Sequence, residues 1–114
     1  MGYYLPSINR IAVIITPKKP FIDWIKSQNP KFKMPIKKHD YRNIYLLPEE
    51  DHDDWQEYVK KECVTIFGKE LDEWNTDPHT WPLDREWKAF NKWFDFEVQT
   101  MIFDLVDDEP IEKD

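Results

Sequence analysis

Three histidines, one cysteine and 23 carboxylates are the groups in this 114-residue chain that could do chemistry. Imidazole titrates near neutral pH, so a histidine with a partner is the first place to look for a base or a metal ligand. His52 lies between Asp51 and Asp53. Adjacent side chains on a loop diverge, so a metal there would need further ligands from elsewhere, and a solvated acidic loop accounts for the pattern. His79 sits in Asp77-Pro78-His79-Thr80-Trp81-Pro82, where proline and tryptophan restrict the backbone, and reads as part of a corner between helices with a possible binding role. His39, flanked by Lys38 and Asp40, reads as exposed. Cys63 falls on an apolar stripe, where a thiol behaves as a small hydrophobe and its pKa rises. A single cysteine also forms no intramolecular disulfide and no paired-thiol metal site. Ser7, Ser27, Thr65, Thr76, Thr80 and Thr100 occupy none of the strained turns that expose nucleophiles. With this many acids, two carboxylates at catalytic spacing arise by chance and carry no information. Gly2 and Gly68, the two glycines, leave no glycine-rich loop to cradle phosphate. No catalytic residue, metal or cofactor is expected.

Polar residues set inside apolar runs are more informative, because a buried charge needs a partner or a task. Asn9-Arg10 opens an apolar run, Asp23 interrupts Phe-Ile-Asp-Trp-Ile, Asp84-Arg85 precedes another apolar series, and Glu97 and Asp104 interrupt its tail. Caps and internal ion pairs explain these most simply. The functional alternative is a polar pocket where Arg10, Asp23 and Arg85 meet Trp24 and Trp81. The candidate binding residues are accordingly Asn9, Arg10, Asp23, Trp24, His79, Trp81 and Arg85.

The elements that must position these residues follow from periodicity. Arg10 to Thr16 (RIAVIIT) is a β-branched run ending at Pro17 and predicts a buried strand. Pro20 suits the first turn of a short helix carrying Phe21, Ile22, Trp24 and Ile25, ending near Asn29. Residues 30 to 42 read as irregular. Asn43 to Leu47 predicts a second strand, stopped by Pro48. From Asp54, the positions Trp55, Val59, Cys63, Ile66, Phe67, Leu71 and Trp74 step by three and four. They predict a long amphipathic helix with Asp53 or Asp54 as N-cap and with Lys60, Lys61, Lys69, Glu70 and Glu73 mostly away from the apolar stripe. Leu83, Trp87, Phe90, Phe94, Val98, Met101 and Leu105 continue the same period and predict a second long helix to about residue 105, although residues 98 to 106 are also strand-rich. The fold class is therefore α+β: a small two- or three-stranded sheet covered by two long amphipathic helices and one short helix. Residues 1–114 form one domain, with 107–114 expected to be a flexible acidic tail.

Charge divides the chain. Residues 1 to 42 carry nine Lys or Arg against two acids, a net of +7, whereas residues 43 to 114 carry seven against 21, a net of -14. Lys31, Lys33, Lys37, Lys38 and Arg42 could be taken for a nucleic-acid footprint, but the overall excess of acid repels phosphate, so a bipolar solvated surface is expected instead. The longest apolar stretch, Ile11 to Ile15, is far below the roughly 20 residues that span a bilayer, and the start lacks a secretory pattern. A cytoplasmic location without membrane association is expected.

One set of residues extends across nearly the whole chain: Asn9-Arg10, Pro17-Lys18-x-Pro20-Phe21-x-Asp23-Trp24-Ile25, Ile44-Tyr45-Leu46-Leu47-Pro48-Glu49, Ile66-Phe67-x-x-Glu70-Leu71-x-x-Trp74, Asp77, Trp81-Pro82, Arg85, Phe90, Trp93-Phe94 and Asp104-Leu105-x-Asp107. This pattern resembles a family of short acidic bacterial proteins of unknown function, departing from it over residues 30 to 42. The resemblance implies a bacterial cytoplasmic single-domain protein and no mechanism. The expected function is a non-catalytic module that presents an aromatic and acidic surface to another protein, an inhibitor or immunity-type protein being one form. The alternative is a small enzyme or ligand-binding protein built on the polar pocket around Arg10, Asp23, Arg85 and Trp81. Six tryptophans, seven phenylalanines and five tyrosines exceed what a core of this size needs. Trp24, Trp81 and Trp93 are the ones left over for a surface.

Overall fold

The central strand of the sheet is the most apolar run in the sequence. In the computed structural model, which describes residues 3–31, 41–51 and 53–114, β1 (Arg10–Pro17) lies between β2 (Asn43–Pro48) and β3 (Phe94–Gln99). Both neighbours are antiparallel to it, with Ile14 opposite Ile44 on one side and Glu97 on the other. Side chains alternate across a strand. Ile11, Val13, Ile15, Leu47 and Phe94 therefore enter one core, which is completed by α1 (Lys19–Gln28), α2 (Trp55–Asp72) and α3 (Trp87–Trp93).

Local chemistry sets the helix limits. Pro20 occupies the first turn of α1, where its missing N–H is no loss, and Asn29 closes the helix by donating from its backbone N–H to Ile25 and Lys26 and from its side chain to Ile25. Asp54 occupies the N-cap position of α2, but its side chain makes no cap bond. Phe67 on α2 is the centre of the core, with its ring 5.1 to 6.3 Å from those of Phe90, Trp93 and Phe94.

The α+β class holds, with three strands. The second long helix does not form. Leu83 to Glu86 precede α3 as an irregular turn in which the Glu86 N–H donates to Asp84, and the helix lasts only seven residues. At Phe94 the backbone becomes extended (φ -137°, ψ 142°). The reason is a second period in the same residues. Phe94, Phe96 and Val98 alternate with Asp95, Glu97 and Gln99, and this pattern seals one side of β1 while directing the acids to the opposite face. The Lys18 backbone N–H donates to Trp93 O (2.8 Å) and its ammonium to Asn91 O (2.6 Å), tying the end of β1 to the helix-strand junction. Beyond β3, residues 107–114 carry no helix or strand and are exposed.

Candidate interaction surface

The candidate binding residues fall into two groups. Trp24, His79, Trp81 and Arg85 meet at a corner between α1 and residues 75–86. Trp24 is buried in the core and its indole N–H donates to Thr80 O (2.9 Å). Trp81, half-buried, donates to Asn75 O (2.8 Å). The Arg85 guanidinium sits 5.6 Å from the Trp81 ring and donates to Pro82 O (2.7 Å). His79 is exposed beside Asp77, whose carboxylate accepts from the His79 N–H and caps the short 3-10 turn Pro78–Thr80. Every indole and guanidinium bond named here ends on a backbone carbonyl: Trp24 ties α1 to the 75–86 segment, and Trp81 and Arg85 brace that segment internally.

Asp23 is exposed on α1 and pairs with Lys19 (2.7 Å). Asn9 and Arg10 lie at the start of β1, about 23 Å along the strand from its other end at ~3.3 Å per residue. Arg10 donates to Asn9 O (2.8 Å) and borders a shallow cleft of about 410 Å³ with Pro48, Glu49 and Tyr58. A pocket joining Arg10 to Asp23, Arg85 and Trp81 is thus not assembled. Of the tryptophans, Trp24 is in the core, and Trp55, Trp74, Trp81, Trp87 and Trp93 are half-buried and pack against it. His39, His52 and most of the lysine-rich stretch lie at residues 32–40 and 52, outside the described residues.

One acidic residue expected away from the apolar stripe of α2 lies on it. Glu70 is 3% exposed, facing β2 from α2. Asn43 donates to both carboxylate oxygens (2.9 and 3.1 Å) and Tyr45 OH to one (2.8 Å). Burial pushes the Glu70 carboxyl above its ordinary range, against the two donors that favour the charge, and neighbouring Glu73 adds to the rise. Burial, followed by the Glu70 charge, likewise raises the Tyr45 phenol, which stays protonated and donating. The sequence held the signal: Glu70 is four residues after Ile66 and three after Phe67, on the apolar stripe itself. Both carboxylate oxygens are occupied, so Glu70 fastens α2 to β2.

A groove of about 450 Å³ runs beside this cluster between α2 and β2, over Leu47, Val59 and Ile66. Two of its polar residues are engaged, Tyr45 with Glu70 and Lys69 with Glu73 (2.7 Å). Among the described residues, no buried side-chain nitrogen or oxygen lacks a hydrogen-bond partner, and no three His, Cys, Asp or Glu side chains are grouped to hold a metal ion.

The helix-free face of the sheet is different. It carries Leu46, Ala12 and Gln99 on one rung and Ile44, Ile14 and Glu97 on the next, with Thr16 opposite Asp95 at its far end. The face therefore grades from apolar along β2 to acidic along β3. Ile44 is 63% exposed and Leu46 49%, and none of the three helices covers them. Arg42 reaches Glu97 at 3.7 Å and Lys18 reaches Asp95 at 3.4 Å, so cations of the basic half border the acidic strand. Compared with known proteins, the chain matches no family model, no curated protein and no solved structure. Function must therefore be read from the surface. Among the described residues no helix is long and apolar enough to cross a membrane.

Proposed function

We propose that this chain is a non-catalytic interaction module that docks another protein on the helix-free face of its sheet. The observation that supports this reading is the exposure of Ile44 and Leu46 beside Ile14 on a face that grades into Asp95 and Glu97. Exposed apolar side chains rimmed by charge are the usual form of a protein-binding site. The complementary partner is a protein with an apolar patch edged by Lys or Arg, and blocking a basic cleft, as an inhibitor or immunity-type protein does, is one use of such a face. Membership in the short acidic bacterial family, supported by the residue pattern, and a cytoplasmic location, supported by a single buried and unbridged Cys63, belong to the same proposal.

The test is affinity capture with the full chain, followed by titration calorimetry on the partner recovered. Ile44→Asp with Leu46→Asp should weaken binding about 100-fold, as loss of an interface centre does. Asp95→Lys with Glu97→Lys should mainly slow association and flatten its salt dependence. Capture of the same partner by the Ile44/Leu46 variant at unchanged affinity would refute the reading.

A further inference from the structure

The two edges of the sheet are unequally guarded. In the order β2-β1-β3, β3 alternates Asp95 and Glu97 with its apolar residues, and charge on an edge strand discourages pairing with other chains. β2 (NIYLLP) has no charged residue, and among the described residues no strand pairs with its outer edge. Apolar surface flanks that edge on both sides. Ile44 and Leu46 are exposed on the helix-free face, and on the helix side lies the groove of about 450 Å³. Tyr45, Leu46 and Leu47 all line this groove. Consecutive side chains of a strand point to opposite faces. A groove that reaches all three therefore opens along the outer edge of β2, where the backbone groups turned away from β1 lie.

We infer that β2 accepts an extended segment of the partner protein as a further strand, whose alternate side chains enter the groove on one side and cover Ile44 and Leu46 on the other. A strand satisfies the N–H and C=O groups of the edge and reaches both apolar surfaces at once, whereas a docked helix would leave the edge unpaired. The β2 of a second copy does not fit, because its groove-side residues are already used: Leu47 is 3% exposed and Tyr45 donates to Glu70 of its own chain. Charge names the chemistry of the segment. Lys69 at the groove is held by Glu73 (2.7 Å), which leaves Glu62 there and Glu49 and Glu50 in the adjoining cleft, against Arg10. The segment is apolar at alternate positions and carries Lys or Arg beside these acids. The inference rests on the proposed function and deepens it by stating how the partner is held.

Linear peptides of about nine residues, selected from a random display library against the full chain, are the probe. The expected sequences alternate apolar residues and end in Lys or Arg; acidic or helix-patterned binders, or no binder, would overturn the inference. In titration calorimetry, N-methylation of one alternating set of peptide amides should weaken binding at least about 10-fold, as the loss of about two main-chain hydrogen bonds does, and methylation of the other set should cost little. Thr65→Trp, which fills the groove from an exposed position on α2, should weaken binding with an unchanged far-ultraviolet circular dichroism spectrum. If Ile44→Asp with Leu46→Asp abolishes binding while neither methylated set differs from the parent peptide, the strand is refuted and the proposed function stands. Loss from neither refutes both. Hydrogen exchange adds a measurement on the chain alone. The β2 amides turned away from β1 should exchange freely, and their protection without peptide would show the edge already covered and overturn the inference.

Discussion

Glu70→Gln separates the charge of the buried carboxylate from its shape. Gln keeps one oxygen for Tyr45 and Asn43 but turns an amide donor toward the Asn43 amide, so some loss is expected wherever Glu70 is neutral, about 1 kcal/mol for one imperfect hydrogen bond. The pH dependence carries the argument. Burial places the folded-state pKa of Glu70 above its unfolded value, so the folded chain holds this proton more tightly. The associated stability is fully present below the unfolded pKa and is lost as pH rises through the folded pKa. One proton sets the ceiling on that slope, about 1.4 kcal/mol per pH unit. Glu70→Gln has no such proton. In urea melts at intervals from about pH 4 to about pH 8, the stability of wild type relative to Glu70→Gln should fall as pH rises from the unfolded pKa through the folded one and level off above it. A difference that is flat, or that rises with pH, would refute the claim that desolvation outweighs the Asn43 and Tyr45 bonds.

The core, the corner and the thiol give further expectations. Phe67→Ala should cost about 3 to 5 kcal/mol in denaturant melts, because it removes a fully buried ring packed on three others, and a loss below about 1 kcal/mol would contradict that packing. Gly68→Ala should stabilise by about 0.5 to 1 kcal/mol, since an added Cβ would meet only Trp81 Cζ3 at an ordinary 3.8 Å within a helix; a lower thermal midpoint would show that the Trp81 ring cannot accept the methyl. Arg85→Ala should cost about 0.5 to 2 kcal/mol by calorimetry, through the lost Trp81 stacking and the Pro82 carbonyl bond, and leave partner affinity unchanged. Cys63 is buried, and burial, then the Glu86 charge, raises its pKa. Thiol reagents should label it only as fast as the protein opens, and prompt labelling of the native chain would show the site is accessible.

The parts of the fold legible in the sequence are those where one period acts alone. Arg10 to Thr16 had no rival to strand, and Trp55 to Asp72 had no rival to helix. Residues 94 to 99 satisfied both periods at once. Their fate was decided by the unpaired side of β1, a neighbour about 80 residues away that no local pattern shows. Glu70 was misplaced for a related reason. A carboxylate is ordinarily assigned to water, and the two donors that make its burial tolerable come from β2, a separate run. The polar atoms of Trp24, Trp81 and Arg85 meet backbone carbonyls, which side-chain types do not reveal. The exposure of Ile44 and Leu46 was hidden most fully, because they look like core residues until the strand's other face is known to hold the helices.

Because β3 follows its partner β1 by about 80 residues, the sheet cannot be finished until Phe94–Gln99 has been synthesised. The nascent chain holds its most apolar strand with one edge open throughout. Long-range pairing of this sort folds slowly, and an open β-branched edge invites other strands. Chains ending before Phe94 should therefore aggregate rather than fold as smaller domains, and protection of β1 during translation falls to whatever shields nascent chains in the cell.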